Sequence, residues 1–176
     1  MPGPEAYADT DGASTGCRGP GGYGVVIRWE GKSKEISGGE LNTTNLRMGV
    51  TAACVALETI EEGYTVSVYS DASYRINCMR RGWYNKWREN RWLNHRKEPV
   101  ANRDLWERLR QATHRHQEVR WRKVKGHSKT QGPHKIGNDR ADELAVAAKK
   151  EATRPSTSSS RRRNSSGKIN PKRRLA

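Results

Sequence analysis

Tyr64-Thr65-Val66-Ser67-Val68-Tyr69-Ser70-Asp71 is a run of β-branched and aromatic residues that stops on a carboxylate, the composition of a sheet strand. Helical periodicity flanks it on both sides, and that placement decides the fold. Upstream, Leu46, Val50, Ala53, Cys54, Leu57 and Ile60 recur at helical spacing. They predict a helix capped by Thr43 or Thr44 and closed near Glu62-Gly63. Downstream, Ser73 to Trp92 reads as helical and basic, with Gly82 as a break between two helices. A strand set between helices belongs to an α/β sheet.

Further out, Glu5 to Asp11 reads as a short strand running into Asp11-Gly12. Gly21-Gly22-Tyr23-Gly24 feeds the strand Val25 to Trp29, Glu30-Gly31 is a turn, and Lys34 to Leu41 alternates as a third strand. These three form an antiparallel meander. On the C-terminal side, Pro99 ends a loop, and Asn102 or Asp104 opens a helix carrying Leu105, Trp106 and Leu109. Glu118 to Val124 alternates as a strand, Lys125 to Gly137 is a loop, and Asn138 to Lys150 is an Ala-rich helix. The expectation is one α/β domain over residues 5–152 with a five-stranded mixed sheet flanked by helices. Residues 1–4 form a disordered start, and 153–176 a disordered Ser/Arg-rich basic tail.

Charge sorts the function classes. The formal net charge is +15 over 176 residues, with 32% apolar residues and no Phe. The six Trp and six Tyr are therefore expected to carry much of the burial. Residues 1–74 are net −5, residues 75–125 net +11, and the tail from Arg154 holds eight basic residues and no acidic one. The first basic region interleaves Trp83, Trp87, Trp92, Trp106 and Trp121 with Lys and Arg and should be folded. The tail is too polar to offset chain entropy. Such a balance points to a polyanion. No apolar run is long enough to span a bilayer and the start shows no signal pattern, so a soluble intracellular, cytoplasmic protein without a membrane partner is expected. Cys17, Cys54 and Cys78 lack metal-ligand spacing and read as free thiols.

Asp11 and Asp71 each follow a strand directly, and Asp142 lies in the first turns of the last helix. Convergent carboxylates suit a hard divalent cation, and a pair of such ions can activate water against a phosphodiester. Each also has a plainer reading: Asp11-Gly12 as a turn dipeptide, Asp71 as a helix cap, Asp142 as a solvated helix residue, and His127 as an ordinary loop histidine.

Read together, the segments resemble the type 1 ribonuclease H family. The likeness runs through Thr10-Asp11-Gly12, Gly19-Pro20-Gly21-Gly22-Tyr23-Gly24, Thr43-Thr44-Asn45-Leu46-Arg47-Met48 and Ser70-Asp71-Ala72-Ser73-Tyr74. It continues through Asp104-Leu105-Trp106, Val124-Lys125-Gly126-His127 and Gly137-Asn138-Asp139-Arg140-Ala141-Asp142-Glu143-Leu144-Ala145. It implies a five-stranded mixed sheet with a basic helical protrusion and cleavage of the RNA strand of RNA·DNA hybrids by two Mg²⁺, leaving a 3′-hydroxyl and a 5′-phosphate. By resemblance Asp11, Asp71 and Asp142 are metal ligands, with Asp11 shared by both ions. His127 is the mobile loop histidine of proton transfer or product release, and Asn45 reads the minor groove through sugar hydroxyls. The stretch 83–97, with Trp83, Lys86, Trp87, Arg88, Arg91, Arg96 and Lys97, grips the DNA strand.

The chain departs from the pattern where the family's metal-binding Glu follows Arg-Met: here Gly49 follows Met48. Glycine has no ligand atom and costs about 1 kcal/mol against Ala in a helix interior. Glu58 lies about 13 Å further along the helix, too far to substitute; Glu40, before the helix, stays open only as a distant alternative. Leu46 stands where a second Asn is usual, Cys17 where an Asn is usual, and Ser73 where Gln is frequent. The loop after His127 is longer than in compact members.

Three readings follow. The first is a nucleic-acid-binding relative, for RNA·DNA hybrid or RNA, with lost or weakened hydrolysis. The second is a working ribonuclease H using an alternative ligand or Mn²⁺. The third is an RNA-packaging, capsid-like protein found in a virion. The family implies a monomer; packaging implies assembly. In the tail, Arg161-Arg162-Arg163 and Lys172-Arg173-Arg174 are candidate nucleic-acid contacts and are spaced like a bipartite nuclear signal.

Overall fold

The computed structural model describes residues 3–16, 18–124 and 133–153. Its first three strands, β1 (Glu5–Ser14), β2 (Gly19–Trp29) and β3 (Lys32–Thr43), form the predicted antiparallel meander. Helix α1 (Asn45–Thr59) then crosses over to β4 (Thr65–Ser70), which pairs parallel to β1, the kind of connection parallel strands require. The Thr44 hydroxyl accepts from the Arg47 amide at 3.1 Å and caps α1, while Thr43 is buried. Helices α2 (Ser73–Arg80), α3 (Trp83–Glu89) and α4 (Arg103–His114) follow, then β5 (Glu118–Lys123), parallel to β4, and α5 (Pro133–Thr153). The sheet order is β3-β2-β1-β4-β5.

The pleat sends alternate residues to opposite faces. At Gly12 a side chain would strike Met48 and Gly49 of α1; at Gly24, directly paired to Asp11, it would strike the Ala141 carbonyl of α5. So α1 covers one face and α5 the other, and α4 packs on α1. The core is aliphatic and small: Ala6, Ala8, Val25, Ile27, Leu57, Val66, Val68, Leu105 and Leu109. Of the aromatics expected to dominate burial, Trp92, Trp106 and Tyr64 are buried, whereas Trp29, Trp83, Trp87 and Trp121 pack on the rim of the core.

Besides β2, which opens at Gly19 rather than Val25, three elements differ from expectation. First, β1 does not end at Asp11. Pairing from Asp11↔Gly24 to Ser14↔Gly21 keeps the Asp-Gly dipeptide extended rather than turning. Second, the basic helical stretch breaks at Gly82, as predicted, with φ 64°, but its second helix stops at Glu89. Arg91 and Trp92 then take left-handed φ values of 58° and 62°. Third, α5 opens at Pro133 rather than Asn138; proline is favoured in a first helical turn, where its missing N–H leaves no gap. Asp142 therefore sits well inside the helix. No helix among the described residues is long and apolar enough to cross a membrane.

Candidate carboxylate centre and nucleic-acid interface

The last β1–β4 pair is Asp9↔Tyr69. Asp11 and Asp71 each lie two residues beyond it, where β1 parts from β4 but stays paired to β2. Asp11 is 7% exposed, and its Oδ1 accepts from the Gly12 amide at 2.9 Å. Asp71 is half-buried, and the α2 cap position is Ala72, without a side-chain bond. Asp142 is half-buried rather than solvated, next to Ala141, which lies over Gly24 on the Asp11 rung. Two strands and one helix thus bring the three acids to the same end of the sheet.

Gly49 is buried in α1. It lines a cavity of about 20 Å³ with Thr10, Val68, Ser70, Ile76 and Leu109, room for about one water. Thr10 and Ser70 are the residues before Asp11 and Asp71, so position 49 faces the gap from which those carboxylates emerge. Of the two neighbouring acids, Glu58 is engaged elsewhere. Glu58 is held by a two-pronged ion pair to Arg108 at 2.8 and 2.7 Å. Glu40 is on β3 opposite Gly21. Among the described residues, no three His, Cys, Asp or Glu side chains converge closely enough to hold a metal ion.

The basic stretch is folded and seated on the core. Trp87 packs on buried Trp106 with ring centroids 5.6 Å apart, and the Arg103 guanidinium lies 5.3 Å over the buried Trp92 ring. The Asn94 carbonyl Oδ1 accepts from the Arg96 and Glu98 amides at 2.8 and 3.0 Å and shapes the following turn. Lys86, Arg88, Arg91, Arg96 and Lys97 are all exposed, whereas Trp83 is half-buried against the core.

Asn45 is the first residue of α1 and exposed. The Ser14 hydroxyl donates to its Oδ1 at 3.0 Å, so Ser14 joins this polar edge. Sequence reasoning missed it because β1 was expected to stop three residues earlier. It also missed Asp9, which is 1% exposed beside Arg28 Nη1 at 3.4 Å. Burial pushes its carboxyl up to about 7, against the opposing pull of Arg28. The signal was there: in Tyr7-Ala8-Asp9-Thr10-Asp11 the strand period puts Asp9 on the Asp11 face. His127, Cys17 and the tail residues Arg161, Arg162, Arg163, Lys172, Arg173 and Arg174 lie outside the described residues.

A family model described as RNase H matches residues 5–150. The chain is 50% identical over 139 residues to the ribonuclease H of Moorella thermoacetica, covering 79% of this chain and 88% of that one. It is 46% identical over 146 residues to the ribonuclease H of Desulforamulus reducens, covering 83% and 88%. Among solved structures it is similar to LC9-RNase H1, a type 1 RNase H with the type 2 active-site motif. The TM-score is 0.73 at 27% identity, over 86% of this chain and 75% of that one. The fold is also shared with LC11-RNase H1, solved in complex with RNA/DNA hybrid, with a TM-score of 0.62 at 23% identity over 85% and 99% of the two chains.

Proposed function

The chain belongs to the ribonuclease H family, and from that premise we propose that it binds RNA·DNA hybrid or RNA while its hydrolysis of the RNA strand is lost or strongly weakened. The carrying observation is Gly49, a residue without a ligand atom, buried in α1 and facing the gap beside Asp11 and Asp71. Asp11, Asp71 and Asp142 remain as the acids that would face Mg²⁺ or Mn²⁺. Loss of one ligand from a two-ion centre removes several kcal/mol of transition-state stabilisation, a rate loss on the order of a thousandfold. Binding draws on other groups. The exposed cations of residues 86–97 neutralise phosphates, and Ser14 and Asn45 offer a small polar edge for sugar hydroxyls.

The second reading, a working ribonuclease H, is favoured by the 50% identity to a relative named for that activity. One assay separates the two: hybrid cleavage in Mg²⁺ and in Mn²⁺ by this chain and by Gly49→Glu. Cleavage gained about a thousandfold in Gly49→Glu supports the first reading. Robust Mg²⁺-dependent cleavage by the unmodified chain overturns it in favour of the second.

A further inference from the structure

The face of α5 turned to the sheet is unusually smooth. Ala141, Ala145, Ala148 and Ala152 lie over Gly22, Gly24 and Gly39, where any side chain on the sheet would strike the helix. Small residues on small residues bring backbones close and, apart from Leu144 beside Gly24, supply few knobs to fix rotation or sliding. At the exposed edge a two-pronged Arg140–Glu35 ion pair, at 2.7 and 2.8 Å, ties α5 to β3; in the buried part of the interface, one contact is of another kind. At Gly137 a Cβ would fall on the Asp9 carboxylate and within 2.7 Å of Arg28 Nη2. The helix therefore carries a notch, and an ion pair fills it.

By itself this contact is unfavourable. Glycine is a poor residue inside a helix. Asp9 is 1% exposed, and neither of its carboxylate oxygens has a hydrogen-bond donor; nor has Oδ1 of Asn138, which is 4% exposed. An apolar pair of the same volume is often at least as stable as a buried ion pair, and the best-attested use of such a pair is to set register. One turn beyond Asn138 on the helix is Asp142, and two residues beyond Asp9 on the strand is Asp11.

We propose that Asp9, Arg28 and Gly137 form a key and notch that fixes the register of α5 on the sheet and so places Asp142 over the Asp11 rung. Asp9 is a positioning residue, two residues from Asp11 on the same face, and makes no contact with substrate in this role. Its consequence for chemistry rests on the function proposed above; its consequence for the helix does not.

The test uses the full chain carrying Asp9→Ala, Asp9→Asn or Gly137→Ala. Asn keeps the shape of the key and an oxygen toward Arg28. In Asp9→Ala and Gly137→Ala, amide-exchange protection over 135–142 should fall at least tenfold while β1, β2 and α1 stay within twofold; Asp9→Asn should restore it. On the Gly49→Glu background, Asp9→Ala should lower kcat at least tenfold with KM within twofold. Unchanged protection, a uniform fall across all elements, or Asp9→Asn behaving like Asp9→Ala overturns the proposal. If Gly49→Glu never cleaves hybrid, the functional reading fails, and the exchange measurement still decides the register.

Discussion

The carboxylate end of the sheet and the basic protrusion are built on opposite rules. The first brings three acids from β1, α5 and the exit of β4 to one end of the sheet, beside a helix position, Gly49, that carries no oxygen ligand. The second spreads five exposed cations over α3 and the turn after it, held to the core by the Trp87–Trp106 and Arg103–Trp92 contacts. A metal cage depends on each ligand, because coordination number and distance are both tight. A phosphate-binding surface adds charges that act over several ångströms and substitute for one another. On the proposed reading, one residue disables the first region and leaves the second intact.

The sharpest way to break this comparison is to strip charge from the protrusion. Lys86→Ser, Arg88→Ser and Arg91→Ser together should weaken hybrid binding at every sequence tested. They should flatten the plot of log affinity against log salt by nearly 1 for each phosphate contact removed. Titrations between 50 and 200 mM salt measure it. An unchanged slope would show that these cations touch no phosphate. In the Gly49→Glu background the same substitutions should raise KM and spare kcat, since they lie on elements that carry none of the acids.

How far this architecture is legible in the sequence depends on which force sets each element. The apolar stripe Leu46 to Ile60 and the strand Tyr64 to Ser70 can be read directly, because side-chain burial sets them and burial leaves a period. Gly82 can be read because a left-handed φ selects glycine. Asp11-Gly12 misleads, since local turn chemistry favours a bend and only pairing with Gly24 and Tyr23 keeps it extended. The start of α5 misleads likewise: Pro133 and Gly137 both look like breakers, yet one opens the helix and the other makes room for Asp9. The acids of the candidate centre are visible one by one. Their common end of the sheet is not, because it follows from the β1–β4 and β1–β2 registers.

Gly49→Ala sharpens the comparison by separating fold from chemistry at one position. It removes the helix penalty of glycine and lets a methyl enter the small cavity beside Thr10 and Ser70. Stability should rise by about 0.5–1 kcal/mol, a gain in Tm of roughly 1–4 °C for a chain of this size. Cleavage should not appear and hybrid affinity should not move. A loss of stability in thermal unfolding would mean that the backbone approach between Gly12 and α1 leaves no slack at position 49.

The smallest effect is expected where the two regions are tied together. Arg47, in the first turn of α1, donates to Asn102 Oδ1 at 3.0 Å and to both carboxylate oxygens of Asp104 at 3.2 and 3.0 Å, joining the Asn45 edge to the start of α4. The Arg47 hydrogen bonds hold the Asp104 carboxyl below its ordinary value of 3.8. Asp104 is 68% exposed, however, so water screens the pair. Asp104→Asn should cost less than about 1 kcal/mol. A carboxyl lowered on folding contributes stability that is present above pH 4 and lost as the pH falls through its folded value. The difference between the two proteins in denaturant unfolding should therefore be full at pH 7 and close as the pH falls below 3.8. A cost several times larger, or one accompanied by loss of hybrid affinity, would mean that the two regions are mechanically coupled through Arg47 and that binding does not survive independently of the carboxylate end.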